Sequence, residues 1–227
     1  MIGIVIPAHN EEACLGQALA AATHAASHEG LHGEEVRIVV VLDACSDGSE
    51  AVALAWPVTA LRLDERNVGK ARGAGADHLI ALGARWLSFT DADSVVSRNW
   101  LVDQLSLGTD AVCGSVHVTD WSPHGVHGHA LRRHFEATYQ DADGHAHVHG
   151  ANLGVSSEAY LRAGGFSPLT CSEDVALVNA LVACGASIAW SAAPRVATSA
   201  RRHARARGGF GDTLLNLVWQ TPAVLPA

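Results

Sequence analysis

Two aspartates near the middle of the chain could hold a divalent cation. Asp91 and Asp93 come directly after an apolar run, 86–90, that is typical of a buried strand. A strand that ends in Asp-x-Asp places two hard oxygen ligands at the carboxyl edge of a sheet, where Mg²⁺ or Mn²⁺ can bridge two phosphates. Because acidic turns after strands are common, the pair needs support from the rest of the sequence.

Polar groups also follow the first two predicted strands. Pro7, Ala8, Asn10 and Glu11 end the first strand, and Asp43 ends the second. Backbone groups of the first set and the three polar side chains could bind a base and a ribose, since carboxylates accept from base N–H and ribose hydroxyl groups. The alternative is structural: Asn10 and Glu11 can start a helix, and the Asp-Gly-Ser sequence shortly after Asp43 can form a turn.

The segment 67–77 combines three glycines with the basic residues Lys70 and Arg72. Glycine destabilises a helix, so its repeated use indicates the close approach of a ligand or of another backbone. Lys70 and Arg72 could face the diphosphate or the base of a nucleotide. A helix that packs through its glycines against a sheet would explain the glycines equally well.

Short β-branched runs alternate with Ala- and Leu-rich stretches in the first half, a pattern that predicts βαβ units and a doubly wound, largely parallel sheet. The predicted strands are 2–7, 36–42, 59–63, 86–90 and 111–118. The predicted helices are 11–28, 49–55, 69–84 and 99–106.

The composition changes between residues 119 and 150, a stretch that holds seven of the 14 histidines. Its only helix-like pattern is 129–140, and 153–155, 157–163, 172–183, 187–190 and 195–198 then indicate a mixed second half. His145, His147 and His149 alternate, so they would share one face of a strand. A second metal site is one interpretation, but no closed ligand set accompanies them, which favours histidines that line an acceptor pocket or face solvent.

The composition restricts the class of protein. The 227 residues, 48% hydrophobic and 17% charged, predict one globular α/β domain, and a net charge of -8 argues against a nucleic-acid partner. The first apolar run is too short for a signal peptide or a membrane span, so we expect a cytoplasmic protein without an integral membrane segment. Five scattered cysteines without a Cys-x-x-Cys pair argue against disulfides and zinc.

Taken together, these segments resemble the family 2 glycosyltransferases with the GT-A fold. The resemblance spans about residues 2–190 and preserves the order and spacing of the motifs. The matching positions are I-P-x-x-N-E at 6–11, the second-strand motif at Asp43, Asp47 and Ser49, N-x-G-x-[AS]-x-[AG] from Asn67, D-x-D at Asp91 and Asp93, the acceptor-side segment at 150–156 and 161–166, and E-D at 173–174.

The resemblance implies roles for the two acidic pairs. Asp93, with Asp91 beside it, would hold Mn²⁺ or Mg²⁺ on the diphosphate of a UDP- or GDP-sugar donor. Asp174 would be the general base that removes a proton from an acceptor hydroxyl, with inversion at the anomeric carbon, and Glu173 would orient the acceptor. The structural alternative is a helix that Ser172 caps, with two acids in its first turn.

The resemblance also implies the architecture: an α/β GT-A fold with a Rossmann-like, doubly wound, mostly parallel sheet and a smaller mixed acceptor-side half. We expect residues 1–227 to form a single domain. Within it, 1–95 would bind the nucleotide sugar, 96–198 would form the acceptor side, and 199–227 would be a basic C-terminal segment.

Two departures from the family pattern concern the nucleotide base of the donor and the number of sugars that are added. Leu42 replaces a frequent Asp and Cys45 a frequent Ser, so the base is not specified. No Q-x-x-R-W sequence follows the E-D pair, and no membrane helices follow, which argues for a single-addition enzyme. The basic segment that stands there could close over the donor, with Arg201 and Arg202 on the diphosphate and His203 in the metal shell. A solvated basic helix would explain the segment equally well.

Two rival functions remain at this point. A nucleotidyltransferase that makes sugar nucleotides would share the architecture, but it would need a Gly-rich basic signature near the N-terminus, which 6–12 lacks. A non-catalytic sugar-nucleotide-binding protein would not need a base, so retention of both Asp93 and Asp174 argues against it.

Overall fold

The computed structural model describes residues 1–201, and within them eight strands, seven α-helices and two 3₁₀ helices. The strands are β1 (Ile2–Ala8), β2 (Val36–Asp43), β3 (Thr59–Leu63), β4 (Trp86–Phe89), β5 (Val95–Val96), β6 (Ala111–Val118), β7 (Leu153–Ser156) and β8 (Ile188–Thr198). The α-helices are α1 (Leu15–Ala26), α2 (Ser49–Leu54), α3 (Val68–Ala81), α4 (Trp100–Ser106), α5 (Gly128–Thr138), α6 (Ser157–Arg162) and α7 (Glu173–Ala183). The 3₁₀ helices are Glu29–Leu31 and Ser122–His127.

All eight strands form one mixed sheet in the order β3-β2-β1-β4-β7-β6-β8-β5. β1 pairs in parallel with β2 and β4, and β2 pairs in parallel with β3. β7 runs antiparallel to both β4 and β6, and β5 runs antiparallel to β8. The predicted fold class, a doubly wound sheet with a mixed second half, is therefore confirmed.

Side-chain alternation in β1 builds a core on each face of the sheet. Ile4 and Ile6 belong to a buried cluster that includes Leu19 of α1 and also residues of α2 and α4. Val5 points the other way and belongs to a second cluster that includes Leu79 of α3 and also residues of α6 and α7. Helices therefore cover both faces, as a mostly parallel sheet requires.

The strand order reverses beside β1. The chain leaves β1 through α1 to reach β2 on one side, whereas β4, which follows α3, lies on the other side. In open α/β sheets this switch point leaves a crevice between the carboxyl ends of two neighbouring strands, and ligands bind there. In this chain the crevice lies between the turns that follow Ala8 and Phe89.

Every element predicted before residue 119 is present, and β3 and β6 have the predicted bounds. The helix predicted from residue 11 begins later, at Leu15. The cause is the turn before it: Asn10 has a left-handed φ of 55°, and the Glu11 N–H donates to Ser49 Oγ at 2.7 Å. Asn10 is therefore not the cap of α1, and the capping interpretation for this residue is wrong.

The second half differs from the prediction in one strand. Segments 187–190 and 195–198 belong to a single strand, β8, whose register with β6 shifts between Gly114 and Ser115. The buried side chain of Asn152 spans the gap: its amide donates to the carbonyls of Ser115 at 2.7 Å and Pro194 at 2.9 Å, and its oxygen accepts from the indole N–H of Trp100 at 2.8 Å. The side chain thus replaces the missing ladder bonds.

Among residues 1–201, the helices are all too short or too polar to cross a lipid bilayer.

Candidate active site

The turns that follow β1 and β2 are joined by hydrogen bonds. His9 Nδ1 lies 2.7 Å from the carbonyl oxygen of Asp43, and the Cys45 thiol donates to the Ala8 carbonyl at 3.3 Å. The side-chain oxygen of Asn10 accepts from the backbone N–H of Ser46 at 2.7 Å. The I-P-x-x-N-E turn and the second-strand turn therefore form one polar surface at the switch point, with Pro7 at the end of β1 half-buried.

Asp43 is used to hold a loop. Its buried carboxylate accepts three backbone N–H groups, from Glu65 at 2.8 Å, Arg66 at 2.9 Å and Asn67 at 2.7 Å. The loop it fixes leads directly into α3. The predicted contact of Asp43 with a base stays a prediction; the observed contact shapes the neighbourhood of such a site.

A cavity of about 360 Å³ opens beside this loop, at the carboxyl ends of β2 and β3. Its lining carries both charge signs and consists of Leu42, Ala44, Cys45, Asp47, Glu50, Arg62, Leu63, Asp64 and Arg66. Asp91, Asp93 and Asp174 do not line it. The cavity therefore lies to one side of Asp91, Asp93 and Asp174.

The start of α3 is fixed by side-chain and backbone contacts. Asn67 caps the helix by accepting from the Lys70 N–H at 2.9 Å, and the Lys70 ammonium pairs with Glu65 at 2.7 Å. A Cβ on Gly69 would lie 2.2 Å from the backbone oxygen of Ser167. Close approach to another backbone, one of the two explanations for the glycines, is therefore found at Gly69, and the role of Lys70 in phosphate binding stays a prediction.

Arg201 joins the first motif to the D-x-D turn. Its Nη1 donates to Glu11 Oε2 at 2.7 Å, and its Nη2 lies 3.2 Å from Asp93 Oδ2. Both carboxylates are largely buried, whereas the Arg201 side chain is 27% exposed. A single guanidinium thus supplies positive charge to two acids from the turns that follow β1 and β4.

Burial is the largest cause that raises the pKa of Asp93, from 3.8 to about 6. Arg201 opposes this rise, and the carboxylates of Asp91 and Glu11 add to it. The charge of Asp93 is therefore only partly compensated in this arrangement. Additional positive charge at Asp93 would lower the cost of keeping it ionised.

The oxygen donors of this turn fit a hard divalent cation. Mg²⁺ and Mn²⁺ prefer carboxylate oxygens, and Mg²⁺ is commonly held by one or two carboxylates together with substrate phosphates. Asp91 and Asp93 supply such a pair. Residues 1–201 contain no group of three or more His, Cys, Asp or Glu side chains placed to hold a metal without a substrate.

Arg72 joins the two acidic pairs, which are far apart in sequence. Its guanidinium donates to Asp91 Oδ1 at 2.5 Å and forms an ion pair with Glu173. Arg72 and Glu173 are buried, whereas Asp91 is 36% exposed. The fold therefore brings the D-x-D turn and the E-D pair together around the buried guanidinium of Arg72, and the predicted contact of Arg72 with a nucleotide stays a prediction.

Asp174 is held by backbone groups. Its Oδ2 accepts from the Gly150 N–H at 2.7 Å and its Oδ1 from the Val175 N–H at 2.8 Å. Ser172 occupies the N-cap position of α7 in a left-handed conformation, and both acids lie in the first turn of the helix, but the Ser172 side chain makes no cap bond. Unlike Glu173, Asp174 is only partly buried.

Of the predicted C-terminal site residues, Arg201 is the only one in the range that the structure covers. Arg202 and His203 lie outside the described residues, so their predicted contacts with a diphosphate and a metal stay predictions.

The family model described as Glycosyl transferase family 2 matches residues 3–162. The match covers the D-x-D turn and most of the elements that position it. The chain belongs to this family. The predicted resemblance is confirmed, and the family is one of glycosyltransferases.

Solved structures of glycosyltransferases resemble the fold of this family 2 domain. S. aureus TarS, residues 1–349 in complex with UDP-GlcNAc, has a TM-score of 0.64 at 13% identity and is matched over 96% of this chain and 65% of that one. The mannosyltransferase PcManGT from Pyrobaculum calidifontis, in complex with GDP-Man and Mn²⁺, has a TM-score of 0.64 at 17% identity, over 91% and 58%.

A third structure is glucosyl-3-phosphoglycerate synthase from Mycobacterium tuberculosis with Mn²⁺, UDP and glucosyl-3-phosphoglycerate. Its TM-score is 0.61 at 16% identity, with 99% of this chain and 81% of that one matched. The chain spans less than two thirds of the TarS fragment and of PcManGT. Among curated proteins no sequence matches the chain significantly.

Sequence reasoning missed the residues that support the site. Gly150 was predicted only as part of a motif, yet a Cβ there would lie 2.4 Å from the Arg72 guanidinium, and its N–H holds Asp174. Asn152 was not recognised as a bridge between strands. A signal existed for Asn152, because a polar residue at the start of an apolar strand must find partners when it is buried.

Proposed function

We propose that this family 2 domain is a metal-dependent, inverting glycosyltransferase that transfers a sugar from a nucleoside diphosphate sugar to an acceptor hydroxyl. The observation that carries the proposal is the contact of Arg72 with both Asp91 and Glu173. This contact supports the proposal because it joins the D-x-D turn, proposed to bind the diphosphate, to the helix turn that carries Asp174, the proposed base.

The donor would lie across the switch point. Pro7, Ala8 and Asn10 line the turn after β1, and the cavity beside the Asp43 loop provides room for a base. The structural relatives support a nucleotide-sugar donor, since TarS was solved with UDP-GlcNAc and PcManGT with GDP-Man.

Asp93 and Asp91 would hold the divalent cation that two of the relatives contain as Mn²⁺. When bound, such a cation neutralises negative charge on the leaving nucleoside diphosphate. The raised pKa of Asp93 supports this assignment, because a buried carboxylate with incomplete compensation gains from an added cation. Arg201, on the same carboxylate, would contribute a second positive charge near the diphosphate.

Asp174 would accept the proton of the acceptor hydroxyl. The ion pair with Arg72 engages the buried Glu173 carboxylate, whereas Asp174 is more exposed and is oriented by two backbone N–H groups. A carboxylate has further lone pairs that can accept a hydroxyl proton. The acceptor oxygen would attack the anomeric carbon from the face opposite the leaving diphosphate, which inverts the configuration, while Asp174 takes the hydroxyl proton.

A two-stage experiment tests the proposal. The first stage measures the melting temperature with UDP-, GDP-, dTDP- and CMP-sugars, each with and without Mn²⁺, because a ligand that binds only the native state raises it. The second stage measures donor hydrolysis and transfer with the donor that binds, and NMR of the product identifies the anomer. A retained anomeric configuration would refute the inverting mechanism.

Matched variants separate the two acidic pairs. Asp93→Asn should abolish the Mn²⁺-dependent part of the melting shift. Asp174→Asn should keep that shift but lower kcat by about 10²–10⁴-fold, the usual contribution of a general base. Asp77→Asn, on the exposed side of α3, is the control and should change neither quantity. If no donor raises the melting temperature with or without Mn²⁺, the proposal is wrong.

A further inference from the structure

The alternating histidines of segment 145–149 form a stack of rings beside the acceptor half of the site. The segment is not a strand, yet the ring of His147 stacks on Tyr139 with centroids 4.0 Å apart and an interplanar angle of 7°. The rings of His145 and His149 lie 5.4 and 5.9 Å from that of His147. Since Tyr139 stacks on one face of His147 and so closes that face to a ligand, a supporting role is favoured for the stack.

Hydrogen bonds fix the protonation state of two of these rings. The His147 N–H donates to His145 Nδ1 at 3.1 Å, and the Gln140 N–H donates to His147 Nε2 at 3.1 Å. A backbone N–H can only donate, so each of these ring nitrogens must carry a lone pair. Both histidines are therefore neutral in this arrangement, and protonation of either acceptor nitrogen would break its bond.

The third histidine accepts from a tyrosine. Tyr139 Oη accepts from the Val116 N–H at 2.8 Å and lies 2.9 Å from His149 Nε2. We assign the hydroxyl proton to this second contact, so that Nε2 of His149 accepts and Nδ1 carries the ring proton. The pKa of His149 is lowered from 6.5 to about 4, and burial is the largest cause; the nearby His147 and His145 also lower it, while Asp174 opposes the shift.

The segment ends at the residue that holds the proposed base. Gly150 follows His149, and its N–H donates to Asp174 Oδ2 at 2.7 Å. On its other side Gly150 packs against Arg72, whose guanidinium a Cβ would meet at 2.4 Å. A displacement of the segment would therefore move the N–H that orients Asp174.

Other charged and titratable groups face the stack. Asp143 accepts from Ser191 Oγ at 2.8 Å and the Ala192 N–H at 2.9 Å, and Asp141 pairs with Arg195 of β8. Both carboxylates are therefore already paired with groups outside the histidine stack. Asp174 from α7 is close to His149, and two groups come from β6: His117, near Asp141, and Cys113, near Asp174. Burial raises the pKa of Cys113 to about 12, so it stays neutral.

We propose that His145, His147 and His149 are positioning residues for Asp174, and that protonation of His147 and His149 releases the segment and lowers turnover. The inference rests on the proposed function only for the role of Asp174. The direction follows from linkage: His147 and His149 have lowered pKa values, so the folded arrangement loses stability as the pH falls below 6.5.

A first measurement decides the ring assignments without any assay of activity. Two-dimensional NMR of histidine ring nitrogens at about pH 7.5 should show His145 with its proton on Nε2, and His147 and His149 with theirs on Nδ1. The Gly150 amide resonance should shift together with these rings as the pH falls. A proton on Nε2 of His147 would overturn the inference. A Gly150 amide resonance that does not shift when the histidine rings titrate would also overturn it.

A second measurement links the histidines to turnover. In the double variant His147→Gln/His149→Gln, each amide oxygen can accept the same hydrogen bond but does not titrate. With the turnover of each protein expressed relative to its own value at about pH 7.5, the wild type should lose roughly threefold or more relative to this variant as the pH falls to about 4.5. His134→Gln, on the exposed side of α5, should behave as wild type.

An identical acid limb in the wild type and the double variant would reject the positioning role. If no donor gives transfer at any pH, the proposed function fails, and the NMR measurement still decides whether neutral histidines hold Gly150 on Asp174.

Discussion

Nη2 of Arg201 lies 3.2 Å from Oδ2 of Asp93, and Nη1 of the same guanidinium donates to Glu11. Without this cation, two largely buried carboxylates would face each other across the crevice. Arg201→Ala should therefore destabilise the protein at about pH 7.5 by roughly 1–3 kcal/mol, in the range of a buried polar group that loses its partner.

The destabilisation by Arg201→Ala should shrink at lower pH. Arg201 lowers the pKa of Asp93, which burial raises to about 6, so its removal raises that pKa further. Because the folded variant then binds a proton more readily than the unfolded chain, its stability recovers as the pH falls through that pKa. Urea unfolding at two pH values tests this, with Arg98→Ala, an exposed pair with Glu29, as the control. Equal losses at both pH values would contradict the prediction.

Arg72 should be among the costliest side chains to remove. Arg72→Met leaves Asp91 and the buried Glu173 without their shared cation, and breaking a buried ion pair in this way costs about 3–5 kcal/mol. The measurement is the free energy of unfolding in urea. The double variant Arg72→Met/Glu173→Gln should recover part of the loss, with a coupling energy of about 1–3 kcal/mol. Strict additivity would show that the two side chains do not interact.

Two glycines of α3 should respond in opposite directions to the same substitution. A Cβ on Gly75 would lie 2.5 Å from Val5 Cγ1, whereas on Gly73 it would meet only Phe166 Cβ at 4.0 Å. Gly75→Ala should destabilise by roughly 1–3 kcal/mol through overpacking. Gly73→Ala should stabilise by up to about 1 kcal/mol, since alanine is the better helix former. Melting temperatures of both variants test the pair, and a loss at Gly73 would contradict the prediction.

Asp43→Asn should loosen the loop before α3. The carboxylate accepts three backbone N–H groups, and an amide replaces one of its oxygens with a donor. We expect a loss of about 1–3 kcal/mol in the free energy of unfolding. Asp64→Asn, an exposed change in the same loop, is the matched control. Faster amide exchange at 65–67 in Asp43→Asn would confirm the cause, and unchanged exchange would reject it.

The parts of the fold that the sequence predicted are those that depend on local pattern. Alternation of strands and helices predicted every α-helix and every strand up to β6 except the two-residue β5, and the resemblance to the family pointed to the D-x-D and E-D pairs. The joined strand β8 escaped prediction because its irregular middle is bridged by Asn152, a contact between residues distant in sequence.

The candidate site was predicted less completely because charge partners are a property of the folded chain. Lys70 and Arg72 looked equivalent as phosphate ligands, yet one pairs with Glu65 near the surface and the other is buried between two acids. Both lie on α3. The sequence pattern of a helix does not show whether a basic side chain pairs with carboxylates of the fold or faces a ligand site.

The contact of Arg201 with Glu11 joins residues 190 positions apart. A ribosome makes β1, β2 and β4 long before it makes Arg201, and these strands pair with one another without help from the far end of the described chain. During synthesis, Glu11 and Asp93 at the switch point are therefore made before the Arg201 guanidinium that pairs with them. Closing so long a loop costs entropy, so the charge-balanced crevice is expected to be among the last parts of the molecule to form.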